Sequence, residues 1–231
     1  MGNRIELGRI AGITIYLDMF FVLVLVISSS RYFTSGDTQV MSAGLVVIAG
    51  IFASILLHEL GHAAAARLFK TRVTHIDLTG LGGIAHFGTS LPKSAFARVV
   101  IYLAGPAMNL LLMYACGYLG MLSIGGGKVM LASALLQLAS INYYLLVFNL
   151  LPAYPLDGGH TLDAILGKLF GGIWAQRVVS ALGLVVSLLI AFFAVQSLPG
   201  GLFMLLIAFF ILEANWTAFN QVGGFGGGGR R

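Results

Sequence analysis

Charge is what this sequence has least of. Only 9% of its 231 residues are charged, against roughly 25% in soluble domains, whereas 58% are hydrophobic and the mean hydropathy is +0.96. A water-soluble fold cannot bury so large a share of apolar side chains. We therefore expect an integral, multi-pass membrane protein, and we expect the membrane to be a prokaryotic cell membrane.

Cysteine is nearly absent, and the net charge is modest. The single cysteine, Cys116, excludes an internal disulfide framework. The net charge of +5 does not indicate a nucleic-acid partner, because the charges are few and cluster between apolar runs, where they set topology. We expect no cleavable signal peptide, because Met1–Leu17 is too mixed in composition for the apolar region of one.

Long apolar runs dominate the remainder. A helix needs about 20 mostly apolar residues to cross a hydrocarbon core of about 30 Å. The sequence predicts six such spans, the first of them short, with breakers in Ser197–Gly201 between the last two. The six are Ile15–Ser29, Met41–Ala66, Val99–Ser123, Val129–Leu151, Val178–Val195 and Leu202–Ala218.

The distribution of lysine and arginine predicts the orientation. With six spans, both termini lie on one side of the membrane, and only Arg31 and Lys128 fall on the other. The remaining 11 of the 13 basic residues share the side of the termini. By the positive-inside rule, that side is cytoplasmic.

Two stretches rich in glycine and β-branched residues do not fit a spanning helix. Glu6–Leu17 and Val73–Phe87 predict short strands or hairpins near the cytoplasmic interface, paired together or lining a cavity, because lipid does not tolerate open strand edges. The glycine-rich Gly223–Arg231 predicts a disordered tail. The expected fold class is an all-α membrane protein of about six transmembrane helices with short cytoplasmic-side β-strands or hairpins, in a single domain over 1–222.

The second predicted span carries ionisable residues that lipid would penalise. His58, Glu59 and His62 form the pattern HELGH, and on a helix the two histidines face the same way, one turn apart. Two imidazoles at this spacing can hold one Zn²⁺, with the glutamate as general base of a metalloprotease. Gly61 and the alanines of 63–66 keep one face slim enough for another helix to approach.

A catalytic zinc site needs a third protein ligand at similar depth. We expect it where the fourth span ends, in NLLPAYPLDGGH, because prolines and glycines there break the helix and open a polar cavity. Asp157 is the predicted ligand. An N-cap role for Asp157 before a helix near Thr161 is the alternative, and His160 is a rival ligand. Counted from Ala43, His58 lies about 22 Å along the helix at about 1.5 Å per residue, which puts the ion nearer the cytoplasmic side.

Together these motifs resemble the site-2 protease family of intramembrane zinc metalloproteases. HELGH is similar to the family's HExxH. NLLPAYPLDGG is similar to its Asn-x-x-Pro…Asp-Gly motif, which corresponds here to Asn149, Pro152, Asp157 and Gly158. The segment AGPAMN at 104–109 is similar to an element of the family's third span. The resemblance covers nearly the whole chain. It implies a helical membrane bundle with metal ligands from the second and fourth spans, in a minimal form without a PDZ or CBS domain.

The expected activity is zinc-dependent hydrolysis of a peptide bond in or near a transmembrane segment of a substrate protein, which the resemblance suggests is a membrane-tethered regulator. Glu59 is the expected general base. Two roles are open for Asn149: donating to the substrate carbonyl or oxyanion, or tying the broken helix to a neighbour. A metal transporter using the same histidines and aspartate, and an inactive binding scaffold, are the alternatives. Glu59 argues against both, because neither needs a general base.

Other polar residues carry weaker expectations. We expect His75 and Asp77 to lie on a solvated strand, and His86 to lie at the interface. Asn109 is expected to satisfy backbone groups near Pro106. Two roles are open for Glu213 and Asn215 in the last span, pairing with a neighbour or marking a gate; the adjacent Trp216 indicates the interface and favours the first.

Overall fold

The computed structural model describes residues 4–34, 36–80, 82–198 and 201–223, without the side chains of residues 28, 31, 222 and 223. The chain forms two compact units. Unit 1 comprises residues 1–91 and 104–147, and unit 2 comprises residues 92–103 and 148–231. The predicted breakers Pro199 and Gly200, and residues 224–231 of the predicted tail, lie outside the described residues.

Four strands form one small sheet in unit 1, in the order β1-β2-β3-β4. β2 and β3 pair in parallel, whereas the other two pairs are antiparallel. The prediction that the two β-rich stretches form hairpins and pair together is therefore confirmed. One face of the sheet is apolar, and Ile13, Ile15, Ile76 and Leu78 are buried there. The strands are β1 (Arg4–Ile10), β2 (Ile13–Asp18), β3 (Val73–Thr79) and β4 (Gly82–Phe87).

Seven helices occur in the described residues, and five of them are long and apolar enough to cross a membrane. These five match the second, third, fourth, fifth and sixth predicted spans, so the helical membrane class is confirmed. The helices are α1 (Met19–Phe33), α2 (Thr38–Leu68), α3 (Ala95–Gly125), α4 (Val129–Asn149), α5 (Asp157–Phe170), α6 (Gly172–Gln196) and α7 (Leu202–Gly223).

The first predicted span differs from the structure. Strand β2 takes the residues up to Asp18, whose carboxylate caps α1 by accepting a hydrogen bond of 2.7 Å from the Phe20 N–H. The helix that follows has 15 residues, fewer than the roughly 20 that cross a typical bilayer. Pairing within the sheet and the cap thus move the start of the helix from Ile15 to Met19, while its length of 15 residues equals that of the predicted span.

Helix α5 was predicted only as the helix near Thr161 in the alternative interpretation of Asp157. It is 14 residues long and amphipathic, with Gly158, Gly159 and Ala164 on its buried face. In unit 2 it precedes α6 and α7. A small core of Ala153, Leu156 and Ile211 holds the segment before α5 against α7. The short apolar side and polar remainder of α5 explain why a search for long apolar runs overlooks it.

Helices α2 and α3 approach very closely within unit 1. A Cβ built on Gly61 would lie 2.7 Å from the carbonyl oxygen of Ala104, a backbone atom that cannot swing aside. This contact confirms the prediction that the small face around Gly61 admits a neighbouring helix. The backbones can approach because neither side presents a bulky side chain.

We predict that Gly61→Ala destabilises the protein although alanine is the better helix former. The added methyl must push α2 away from α3, and such overpacking costs about 1–3 kcal/mol. Gly117→Ala is the matched control, because its Cβ would meet only the Ala139 Cβ, at an ordinary 3.9 Å. Unfolding in detergent should show a lower midpoint for Gly61→Ala and an unchanged or higher one for Gly117→Ala. Equal midpoints for the two variants would contradict the close approach.

Candidate metal centre

Helix α2 presents the two histidines of HELGH side by side. The Nε2 atoms of His58 and His62 lie 3.1 Å apart, and each residue is only 6% exposed. Glu59 is 5% exposed on the same helix. The one-turn spacing predicted from the sequence therefore brings both imidazoles to one point.

This pair fits a divalent metal ion. Two bonds of about 2.0–2.1 Å at a tetrahedral angle place two ligand nitrogens about 3.3 Å apart, close to the observed separation of 3.1 Å. Gly105 of α3 makes room at this point, because a Cβ there would lie 2.6 Å from the His58 Nε2. Imidazole nitrogens are ordinary ligands of Zn²⁺, so the donor set suits that ion.

A series of hydrogen bonds begins at the Nδ1 atom of His58. The Nδ1 of His58 bonds to the Oδ1 of Asn109, and the Nδ2 of Asn109 donates to the Oδ1 of Asn142 at 2.9 Å. The Nδ2 of Asn142 donates in turn to Ser54 Oγ and to the Leu138 carbonyl, both at 2.9 Å. Asn109 and Asn142 are fully buried.

These hydrogen bonds leave the Nε2 of His58 available to a metal ion. Since the Asn109 carbonyl can only accept, His58 donates through Nδ1–H, and its Nε2 keeps a lone pair for an ion. The expectation that Asn109 satisfies backbone groups is wrong: its hydrogen bonds run to His58 and Asn142. Sequence reasoning missed Asn142 and Ser54, although an asparagine within an apolar span was a signal for a buried polar contact.

Glu59 lies against the sheet. A Cβ on Gly83 of β4 would come within 2.5 Å of the Glu59 Oε1. Because glycine has no side chain, Gly83 leaves the space that the carboxylate occupies. β4 also stands at the end of the strand order, so the residue beside the predicted general base belongs to an edge strand.

Asp157, the predicted third ligand, is the first residue of α5 in unit 2. The alternative N-cap role is wrong, because the helix already includes Asp157 and its cap is Leu156. The next two residues must be glycine. A Cβ on Gly158 would lie 2.5 Å from the Leu151 carbonyl oxygen, and one on Gly159 would lie 2.5 Å from the Ala153 carbonyl carbon.

The segment before Asp157 is fixed by Asn215 of α7. The fully buried Asn215 accepts from the Tyr154 N–H at 3.1 Å and donates to the Tyr154 carbonyl at 2.7 Å. The peptide between Tyr154 and Pro155 is cis. Burial raises the pKa of the Tyr154 hydroxyl, and the nearby Asp163 carboxylate raises it further, so the hydroxyl stays neutral.

The remaining predicted residues take varied positions. Asn149 ends α4 and is half-buried, and Glu213 is exposed. His160, the rival ligand, stacks on Tyr102 at a ring-centre distance of 4.8 Å and meets Tyr154 edge-on at 5.1 Å. Asp77 is buried at 3% exposure, so the expectation of a solvated position for it is wrong.

Comparison with known proteins places these features in a family. The sequence model of "Peptidase family M50" matches residues 46–135 and 118–194. The chain is 29% identical to a zinc metalloprotease of Methanocaldococcus jannaschii, over 91% of this chain and 59% of that protein. It is 33% identical to stage IV sporulation protein FB of Bacillus subtilis, over 49% of this chain and 38% of that protein.

A solved structure is also similar. The site-2 protease from Methanocaldococcus jannaschii aligns with a TM-score of 0.67 and 25% identity, covering 94% of this chain and 95% of that one. By contrast, the chain spans about three fifths or less of the length of the two relatives above.

We predict that Asn109→Leu weakens metal binding while the fold remains. Without its acceptor, His58 loses its fixed orientation, and loss of such outer partners costs about 10–100-fold in metal affinity. Metal affinity should be measured by competition with a chelator, beside unfolding in detergent. Ser54→Ala, at the far end of this series of hydrogen bonds, is the control and should lower the metal affinity much less. Equal affinity losses in the two variants would show a general packing effect instead.

We predict that Asn215→Leu loosens the segment before Asp157. The substitution leaves the Tyr154 N–H and carbonyl without these partners, at about 1–3 kcal/mol for an unsatisfied buried group. Hydrogen exchange at residues 153–157 should therefore speed up. Asn220→Leu is the matched control, because Asn220 is an exposed asparagine on the same helix. Unchanged exchange in Asn215→Leu would contradict the role assigned to Asn215.

Proposed function

Because this chain belongs to peptidase family M50, we propose that it is an intramembrane zinc metalloprotease that hydrolyses a peptide bond in or near a transmembrane segment. The observation that carries the proposal is the pairing of His58 and His62 beside Glu59, all buried within a helix long and apolar enough to span a membrane. Such polarity at membrane depth is costly unless it serves a site.

The proposed ligands of one Zn²⁺ are His58, His62 and Asp157. The imidazole geometry described above and the match of Asp157 to the family motif support this set. Two histidines and one carboxylate leave a position open, as a catalytic zinc site requires. A bound Zn²⁺ supplies Lewis-acid polarisation of a carbonyl and makes water more acidic.

Glu59 performs the proton transfers in this proposal. Its carboxylate takes a proton from the attacking water and then passes it to the leaving amine, so that the C–N bond breaks as a neutral amine departs. The Asn149 amide donates to the carbonyl oxygen of the substrate as charge develops there. Low exposure of Glu59 keeps competing water away from the carboxylate.

The substrate class follows from backbone chemistry. A transmembrane helix hides its peptide bonds in its own hydrogen bonds, so it must unwind locally before cleavage. The edge of β4 offers backbone groups for an extended segment by strand addition, and Gly83 of this strand contacts Glu59. We propose a single-span membrane protein, such as a membrane-tethered regulator, as substrate.

The proposed location is a prokaryotic cell membrane, with both termini in the cytoplasm and the metal site nearer that side. The lysine and arginine distribution supports this orientation. It requires α1 to cross as the sixth span, in addition to the five longer helices.

We predict that Glu59→Gln abolishes cleavage yet keeps the metal. The amide cannot accept the proton of water, and loss of a general base costs about 10²–10⁴-fold in rate. The purified chain in detergent should be incubated with a single-span test substrate, and cleavage and bound zinc should be measured on the same samples.

The controls separate the ligands and the alternatives. Asp157→Asn should lose zinc and activity, whereas His160→Gln should keep both; the reverse result would make His160 the third ligand. Full cleavage by Glu59→Gln would reject its role as base. Zinc flux in vesicles without cleavage by the wild type would indicate a transporter instead.

A further inference from the structure

A second group of metal-ligating side chains lies on the sheet of unit 1, and the function proposed above does not use it. His75 and Asp77 come from β3, and His86 comes from β4. One ligand atom from each lies within 4.8 Å of the others. The His86 Nε2 is 3.0 Å from the Asp77 Oδ2, and the His75 Nε2 is 4.0 Å from the same oxygen.

The strand register builds this cluster. His75 pairs with His86 directly across the antiparallel ladder, so the two side chains project from the same face, and Asp77 projects from that face two residues along. The two rings stack with centres 4.2 Å apart. Ile76 and Leu78, which alternate with these residues, are fully buried on the opposite face.

A buried carboxylate oxygen at this place points to a cation. The Asp77 side chain is 4% exposed, and its Oδ1 has no hydrogen-bond partner among the described residues. Arg4 pairs with the other oxygen, Oδ2, at 2.9 Å. Burying a carboxylate with one oxygen that lacks a donor is costly, and a divalent ion beside the carboxylate would offset that cost.

We propose that His75, Asp77 and His86 form a second site for a divalent transition-metal ion of the Zn²⁺ class. Two imidazoles and a carboxylate are the donors that Zn²⁺ selects. The oxygen–nitrogen separations of 3.0 and 4.0 Å bracket the roughly 3.3 Å expected between two ligands of a tetrahedral ion. Because the two rings stack at an interplanar angle of 10°, they must tilt for both Nε2 atoms to point at one ion.

The surroundings favour binding through the Nε2 atoms. The Thr74 hydroxyl lies 3.0 Å from the His75 Nδ1, which leaves the Nε2 on the side of Asp77. The histidine side chains are 31% and 40% exposed, so an ion can arrive from solvent and keep water in its remaining positions. Arg4 is half-exposed on the edge strand β1 and pairs with Asp77, so the ion would compete with its guanidinium for the carboxylate.

An ion at this site would link β3 to β4. The link is relevant to Glu59, because β4 also carries Gly83, which contacts that side chain. The bound ion would restrain the strand that shapes the surroundings of Glu59 without contributing a ligand to the pair on α2.

The test counts zinc per chain in the full-length protein in detergent, after dialysis against buffered Zn²⁺. The double variant His58→Gln/His62→Gln removes the α2 pair and should still hold one zinc per chain. Adding His75→Gln and His86→Gln should remove it. Glu6→Gln in the double-variant background is the matched control, because it removes an exposed carboxylate from the same sheet and should leave the zinc bound.

Two single variants keep the test decisive if the quadruple variant fails to fold. In the double-variant background, Asp77→Asn should weaken zinc binding by about tenfold or more, whereas Arg4→Gln should tighten it several-fold by removing the competing cation. Absence of zinc from the folded double variant, or zinc that Asp77→Asn does not weaken, would overturn the proposal. Because the α2 pair is absent throughout, neither result bears on the proposed protease function.

Discussion

Every polar side chain placed inside an apolar helix must find its partner within the protein, because lipid offers none. This constraint organises the centre of unit 1. His58 is hydrogen-bonded to Asn109, Asn109 to Asn142, and Asn142 to Ser54. The Ser54 hydroxyl ends the series by donating to the Gly50 carbonyl on its own helix. The same bonds that satisfy these groups also hold His58 with its Nε2 facing His62.

Glycine residues, which have no side chain, allow the close contacts around these groups. Gly61 lets α2 reach the backbone of α3, Gly105 leaves room at the histidine nitrogens, and Gly83 leaves room for the Glu59 carboxylate. In unit 2, Gly158 and Gly159 allow α5 to begin directly against residues 150–154. Each glycine stands where a methyl group would overlap a functional side chain or a backbone atom. The arrangement of these side chains therefore depends on close backbone approach.

The two histidine pairs arise from different periodicities. His58 and His62 meet because a helix returns to the same face after four residues, and their contact is local in sequence. His75 and His86 meet because two strands pair in one particular register. The strand β4 connects the two places, since it carries His86 and also Gly83 beside Glu59. A helix and a sheet thus hold polar residues close to one another within the same unit.

Local periodicity explains what could be foreseen. The apolar runs predict the five long helices, the β-branched stretches predict the hairpins, and HELGH predicts the facing imidazoles, because each depends on residues near in sequence. Tertiary packing decided the rest. Pairing of β2 within the sheet moved the start of α1 from Ile15 to Met19. Helix packing joined Asn109 to Asn142 across 33 residues of chain, and Asn142 to Ser54 across 88. Strand register placed the buried Asp77 beside two stacked histidines. Such contacts join distant segments, and no pattern within a single segment records which distant segment will meet it.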